Sequence, residues 1–529
     1  MKKNLDKFLQ ATLVLSLALS CLTLGLHLID DYDFLWHLKT GEMIVKQGPP
    51  LVDFYSFRAE GREWIDAQWL FQVIIYLVYR FSGFAGESFL LAVLVCAIFL
   101  LLLKLCWLKE FYPLSVFLCL IAVWSVSFRF NLRPELFTYL LMMAYLLILE
   151  RNRKQFTLAI YLLPFLQLLW ANLEGLWPIG LVLIGAYGIE EFLFNYLSRY
   201  KQLSKWLEPG SWQKFGKILF VFFLCTLMSM VTPYLWRGFI FPFHLLIEVT
   251  HPSNLVKSII LDNKPVFPMW FKFPFLAVPL LVLLIVSGAS FFLNRKPRPA
   301  FIMLWLAFLF ISLSARRNVP YICFLAVFIS CFNFQNSLAS RFSSSDSPDK
   351  SVLKFLPAIF SFVLLIFFIA SVLTGKFYVW DKTARKFGTG FYFEKYPKDA
   401  VEFLKKIGWK DRLYNQLAMG GFLIWEGYPE WRIYIDGRLE VYGDELLKLS
   451  LDSMADYELF KEDEQKYGFT AVLVWKGERR VIPLTENLLA DPTWALVFSD
   501  PISMVFLKDT PAQHQLVEQY RLNRVRSIP

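Results

Sequence analysis

The stretch Ile29-Asp30-Asp31-Tyr32-Asp33-Phe34-Leu35-Trp36-His37-Leu38 sets three carboxylates and a histidine within eight residues, directly after about twenty apolar ones. The surrounding chain otherwise avoids charge: of 529 residues 57% are hydrophobic and 19% charged, 54 are phenylalanine, and the mean hydropathy is +0.47. Such a balance lies outside that of soluble globular domains and points to a polytopic membrane protein. The net charge of +10 is spread over short turns between apolar runs instead of forming a patch, which argues against nucleic acid as a partner. Its seven cysteines all lie in apolar runs without metal-ligand spacing and read as small lipid-buried side chains.

A helix needs roughly 20 apolar residues to cross a hydrocarbon core. About eleven runs approach that length: Phe8 to Ile29, Glu87 to Trp107, Phe111 to Phe128, Pro134 to Leu149, Phe156 to Asn172, Trp177 to Leu197, Gly216 to Trp236, Phe273 to Leu293, Ala300 to Ser314, Val319 to Phe334 and Leu353 to Thr374. The first, preceded by Lys2, Lys3 and Lys7, is too long for the core of a signal peptide and reads as a retained anchor. With the N-terminus inside, every inner turn is basic: Lys109, then Arg151, Arg153 and Lys154, then Arg199 to Lys217, then Arg295, Lys296 and Arg298, then Arg341 and Lys350. The run Trp69 to Phe81 is short for a crossing and is expected as a helix lying in the outer interface.

These readings predict a polytopic α-helical membrane domain over residues 1–375, with a first outer loop at 30–86, and an extracytoplasmic α/β domain over 376–529. In the latter, strands are expected at Arg412 to Asn415, Phe422 to Trp425, Arg432 to Ile435, Ala471 to Trp475, Ala495 to Phe498 and Met504 to Leu507, and helices at Asp399 to Ile407 and Asp444 to Tyr467. Ser343 to Asp349 reads as a linker, and Asp436-Gly437 as a hairpin turn.

Ionisable side chains at membrane depth are costly, so their positions are informative. Arg129, Arg133, Glu135, Glu174, Arg237, Arg316 and Arg317 all fall at expected outer ends of spans. Positive charge is disfavoured there, and an anion to hold, such as a substrate phosphate, explains the guanidinium forks. Pairing with Glu135, Glu174 and the loop carboxylates is the alternative, and the two are compatible.

If the chain stays helical past Ile29, then Asp30, Asp33 and His37 share one face at i, i+3 and i+7. A carboxylate there, with its pKa lifted by desolvation, is suited to take a proton from an attacking hydroxyl. His37 then orients that carboxylate, relays a proton, or joins Asp31 and Asp33 around a divalent metal. Helix capping accounts for one carboxylate of the three.

Asp31-Tyr32-Asp33 with Trp36-His37-Leu38 and Gly41, followed by Gly48, Pro49, Asp53, Tyr55-Ser56, Gly61, Trp64 and Trp69-Leu70, resembles the first outer loop of bacterial membrane glycosyltransferases of the GT-C superfamily, of the kind exemplified by protein mannosyltransferases. Further matches are Arg133-Pro134-Glu135, Trp170-Ala171-Asn172, Thr232-Pro233-Tyr234, Arg317-Asn318, Gly420-Gly421-Phe422 and Ile435-Asp436-Gly437-Arg438. The resemblance implies an inverting sugar transfer from a polyprenyl-phosphate carrier, on the outer face of the bacterial cytoplasmic membrane, to a lipid, glycan or protein acceptor. An acidic residue of the first loop is then the catalyst. A histidine is expected where Glu174 stands, and members differ in their need for metal. Asp31 or Asp33 is expected as base, with Asp30, His37 and Glu42 in support, and Arg129, Arg133, Arg316 and Arg317 on the carrier phosphate. The rival readings are a flippase for lipid-linked glycans, which calls for internal repeats and charges at mid-membrane, and a non-catalytic envelope assembly protein.

Overall fold

The computed structural model describes residues 2–199, 210–250, 255, 260–266, 272–293, 298–341 and 348–522. Residues 343–347 of the expected linker and the basic residues Lys201, Lys205, Arg295 and Lys296 lie outside the described residues, while Pro348 and Asp349, expected in that linker, open the helix Pro348–Leu373. The chain forms two compact units. The first comprises Met1–Ile29, Phe81–Pro242 and Ile260–Gly390, the second Asp30–Arg80, Phe243–Ile259 and Phe391–Pro529.

The first unit is a helical bundle, as an apolar chain in lipid must be to satisfy its backbone internally. Each of the eleven apolar runs contains a helix, from Lys2–Gly25 to Pro348–Leu373. Among the described residues seven helices qualify by length and composition to cross a membrane, while Leu158–Leu173, Leu235–Ile247 and Pro299–Ser314 are shorter apolar helices. The helix Lys2–Gly25 packs on Tyr112–Val126 and Pro348–Leu373, and Pro274–Leu293 packs on Val319–Arg341. Small residues let backbones approach: a Cβ on Gly25 would stand 2.9 Å from the Ala92 Cα. Below them lies a buried charge cluster in which Arg298 forks onto Glu190 and donates to Glu150 at 2.5 Å, with Tyr187 also donating to Glu150. Arg298, expected in a solvated basic turn, is thus inside.

The helix Leu235–Thr250 was not expected, because Pro233 and Pro242 break the apolar pattern that announces one. The stretch Trp69–Leu105 is assigned as one helix but is interrupted at Gly83, whose φ of 61° and ψ of −165° are not helical. Residues before Phe81 belong to the second unit.

The second unit is built on a five-stranded sheet of order β2-β1-β3-β5-β4, with β1 at Arg412–Asn415, β2 at Arg432–Ile433, β3 at Ala471–Trp475, β4 at Trp494–Ser499 and β5 at Ser503–Lys508. β1 runs parallel to β2 and β3, and β5 runs antiparallel to β3 and β4. The connection from β1 runs to β2 on one side and that from β3 runs to β4 on the other, so the carboxyl ends of β1 and β3 flank a topological switch point. The first loop joins this sheet: Ile433 N donates to Tyr55 O and Phe57 N to Ile433 O, both at 3.1 Å.

Two readings are corrected. Phe422–Trp425 is not a strand but part of the helix Gly420–Gly427, an apolar run too short for periodicity to decide. Asp444–Tyr467 is two helices, Leu439–Asp452 and Tyr457–Tyr467, with the Asp456 carboxylate accepting from the Glu458 amide at the start of the second.

The helix Phe34–Gln47 lies against the Trp69 segment so closely that a Cβ on Gly41 would stand 2.1 Å from the Gln72 carbonyl oxygen. A Gly41→Ala change therefore forces backbone apart, at a cost of about 1–3 kcal/mol. Gly216, with nothing within 4 Å of an added Cβ, is the control. In thermal unfolding of the purified protein, Gly41→Ala should lower Tm by several degrees and Gly216→Ala should not.

Candidate active-site residues

The first helix ends at Gly25. Beyond it the chain is extended, with the Leu28 and Ile29 amides donating to the Lys386 and Gly390 carbonyls at 2.9 and 2.8 Å. Asp30 and His37 therefore do not share a helical face, and the expectation of a continuous helix fails because these backbone bonds hold the chain open. Asp33 instead stands at the N-cap of Phe34–Gln47, and its carboxylate makes no capping bond. Its Oδ1 accepts from the Trp36 indole at 3.3 Å. The Asp31 carboxylate accepts from the Asp33 amide at 2.9 Å, and the Asp31 carbonyl accepts from the Tyr396 hydroxyl at 3.2 Å. Asp31 thus shapes the turn that presents Asp33.

Asp30 is ion-paired with Lys395 at 2.5 Å. Glu42 lies between Lys39 and Lys46 of its own helix, at 3.0 and 2.5 Å. Its partial burial works to raise the pKa, but hydrogen bonds from Lys46 and Lys39 hold the carboxylate below its ordinary value. The buried His37 ring packs on Trp36, with centroids 3.6 Å apart, and edge-on to Phe71. Its Nδ1 meets the Gln72 amide at 3.3 Å, and that amide also donates to Asp66 at 3.0 Å. Burial pushes the Asp66 carboxyl up to about 7. Among the described residues no group of three or more His, Cys, Asp or Glu side chains is arranged to hold a metal ion. Asp31, Asp33 and His37 do not form such a set, since the Asp31 carboxylate bonds an amide and His37 Nδ1 meets an amide.

Glycines admit the loop to the carboxyl edge of the parallel strands. A Cβ on Gly421 would stand 2.5 Å from the Tyr32 carbonyl oxygen, and one on Gly437 would stand 2.0 Å from Asp33 Oδ1. Asp436-Gly437 is therefore not a hairpin turn: it follows β2, which pairs in parallel with β1. The segment is held by Arg438, whose wholly buried guanidinium binds Asp436 at 2.6 and 2.8 Å and Asp53 at 2.5 Å. The same guanidinium lies over the rings of Trp64 and Tyr55. Asp53 in turn accepts from the Ser56 amide at 3.1 Å. Neither the Arg438 trio nor the role of Gly437 was foreseen, although Asp53 and Asp436-Gly437-Arg438 are visible motifs.

In the first unit, Arg129 is buried and donates to Asp262 at 2.5 Å and Glu135 at 2.9 Å, so two carboxylates already balance its charge. Arg385, not foreseen, fastens the turn that carries Arg129 by donating to the Ser127 and Phe128 carbonyls at 2.8 Å and to Asn131 at 2.7 Å. Arg133 is half-buried one residue before the Pro134 that opens the next helix.

Arg316 lies over the rings of Phe128 and Phe273 at 4.4 and 4.6 Å and reaches Asp262 only at 3.8 Å. Arg317, half-buried beside it, has no carboxylate at ion-pair distance among the described residues. Glu174 is buried and accepts from the Thr138 hydroxyl at 2.9 Å and the Leu176 amide at 2.5 Å. Burial, with Glu135 adding to it, pushes its carboxyl up to about 7. Among the described residues Arg316 and Arg317 thus meet fewer carboxylates than Arg129.

Adding a methyl at Gly437 displaces the Asp33 carboxylate, whereas Arg438→Met strands two buried carboxylates and unfolds the segment, at a cost of about 3–5 kcal/mol. Gly437→Ala should leave Tm within a few degrees of the parent while removing whatever activity Asp33 supports. Arg438→Met should lower Tm markedly.

No protein-family model matches the sequence, and no curated protein matches it. Solved structures do resemble it. The archaeal oligosaccharyltransferase AglB from Archaeoglobus fulgidus, in complex with an inhibitory peptide and a dolichol-phosphate, superposes with a TM-score of 0.61 at 11% identity, over 89% of this chain and 70% of that one. ArnT from Cupriavidus metallidurans superposes with TM-scores of 0.53 bound to undecaprenyl phosphate and 0.54 in the apo state, at 11% identity over 96% of this chain and 98% of that one. The chain shares the fold of these two proteins.

Proposed function

We propose that the protein is a membrane glycosyltransferase that moves a sugar from a polyprenyl-phosphate donor to an acceptor hydroxyl on the outer face of the bacterial cytoplasmic membrane, with inversion at the anomeric carbon. The observation that carries this reading is the position of the Asp33 carboxylate, at the start of a helix and set there by Asp31, Trp36 and Gly437. A carboxylate so positioned is suited to take a proton from an attacking hydroxyl.

In the reaction the acceptor oxygen attacks the anomeric carbon as its proton passes to Asp33. The bond from that carbon to the phosphate oxygen breaks, and polyprenyl phosphate leaves with the electron pair. Asp31 orients the base, and His37, braced by Trp36 and Gln72, keeps the helix start rigid. Arg316 and Arg317 hold the phosphate and stabilise its charge as it leaves, a contribution worth about 10²–10³ in rate for one well-placed donor. Arg129 and Glu135, locked to Asp262, shape the ground beneath them, and Arg133 and Glu174 supply the adjoining charge. Asp30 and Glu42 act through their lysine partners. The isoprenoid tail of the donor lies among apolar helices, in contact with membrane lipid.

The AglB and ArnT structures contain dolichol-phosphate and undecaprenyl phosphate respectively, and the shared fold supports the same class of carrier here. Mass spectrometry of polyprenyl-linked sugars should show one donor accumulating in cells that lack the protein, with the parent gene reversing the accumulation. Asp33→Asn should fail to reverse it, consistent with a loss of about 10²–10⁴ in rate for a general base, and Asp31→Asn should reverse it in part. Full reversal by Asp33→Asn, Asp31→Asn and the double variant would remove both as base. Binding of undecaprenyl phosphate to the purified protein should weaken at least tenfold in Arg316→Gln/Arg317→Gln and hardly at all in Arg237→Gln.

A further inference from the structure

Three large aromatic side chains stand half-exposed together in the second unit, where a soluble α/β domain would ordinarily bury them or do without them. Tyr32 meets Trp475 edge-on with ring centroids 6.2 Å apart, and meets the buried Tyr396 at 5.7 Å. The Lys395 ammonium lies 5.7 Å from the Tyr32 ring and 5.5 Å from the ring of Tyr392. Lys395 is itself anchored by Asp30 at 2.5 Å. Tyr32, Tyr392, Trp475 and Lys395 are all half-buried, so each keeps an open side.

Their place in the fold is that of a ligand site. Trp475 is the last residue of β3, and its backbone is pinned to the end of β1 by Gln416, which accepts from the Trp475 amide at 2.6 Å and donates to the Trp475 carbonyl at 3.0 Å. β1 and β3 are parallel neighbours. The cluster thus lines the carboxyl edge at the switch point of the sheet, where open α/β sheets bind ligands. The Trp475 ring is fixed as well, since a Cβ on Gly477 would stand 2.3 Å from it.

From this placement, and resting on the transferase reading above, we infer that Tyr32, Trp475 and Tyr392 form a saccharide-binding subsite, with Asp30 and Lys395 as its polar partners. A pyranose has an apolar C–H face that packs on aromatic rings and a rim of hydroxyls that need donors and acceptors, and this cluster offers both. Tyr32 is the residue before Asp33, so a sugar held on its ring lies one residue along the chain from the base. The saccharide is that of either the donor or the acceptor, the chemistry of recognition being the same.

The test uses the full-length protein in nanodiscs, because maltoside detergents present sugar head groups. Saturation-transfer NMR is read with methyl glycosides of glucose, galactose, mannose and N-acetylglucosamine as probes. At least one glycoside should bind; Trp475→Ala and, separately, Tyr392→Ala should weaken it at least tenfold, Trp475→Phe should retain most of it, and Trp425→Ala should leave it unchanged. Displacement of the glycoside by undecaprenyl-phosphate-linked sugar, but not by undecaprenyl phosphate, identifies the donor sugar as occupant. Failure of the linked sugar to displace it identifies the acceptor. Absence of binding by all four probes, or equal binding by the parent and both alanine variants, overturns the inference. Asp33→Asn should bind the glycoside like the parent, so loss of transfer chemistry and loss of sugar binding are read separately.

Discussion

Arg438 is wholly buried, and the second unit depends on how its charge is met. Asp53 reaches it from 385 positions earlier in the chain, and Asp436 from two. Taking one cation and two carboxylates out of water is costly, and the arrangement stands only because their hydrogen bonds run between them, to Tyr442 and to the Ser56 amide. Removing any one member leaves a buried charge uncompensated. The trio therefore fixes the register between the first loop and the segment after β2, and that register places Gly437 against Asp33. Stability and the proposed chemistry are joined here: the buried ion cluster sets the position of the carboxylate proposed as base.

The two units divide the electrostatic labour. In the second, carboxylates, aromatics and close glycine contacts gather at a sheet edge. In the first, guanidinium groups differ sharply in what balances them. Arg298 and Arg129 each carry two carboxylate partners. Arg316 faces aromatic rings with a distant carboxylate, and Arg317 has none at pairing distance among the described residues. Among the described residues the two kinds of arginine differ in how many carboxylates they meet, which sequence position alone does not reveal.

Much of this was legible beforehand, because hydrophobic runs and period-two strands are local signals. Each apolar run contains a helix, and β1, β3, β4 and β5 were visible as short β-rich stretches between turns. What escaped reading depends on contacts distant in sequence. Nothing in Tyr55-Ser56-Phe57 reveals that it pairs with Ile433, and Phe422–Trp425 has the composition of a strand until its packing against Phe34–Gln47 makes it a helix. Asp436-Gly437 has the local signature of a hairpin, which the parallel register of β2 overrides. In the site, the carboxylates of Asp30, Asp31 and Asp33 were conspicuous, but their separate partners, Lys395, the Asp33 amide and the Trp36 indole, follow from contacts that the sequence does not display. The shared helical face for Asp30 and His37 failed for the same reason, two backbone bonds that hold Leu28 and Ile29 extended.

The claim that the Asp33 carboxylate takes the proton is tested most directly by chemical rescue. Asp33→Ala protein, purified and supplied with the lipid-linked donor that accumulates in cells lacking it, should transfer no sugar by itself and should regain transfer in a saturable way when formate is added as a substitute carboxylate. Transfer by Asp33→Ala at the parent rate without formate would contradict the account.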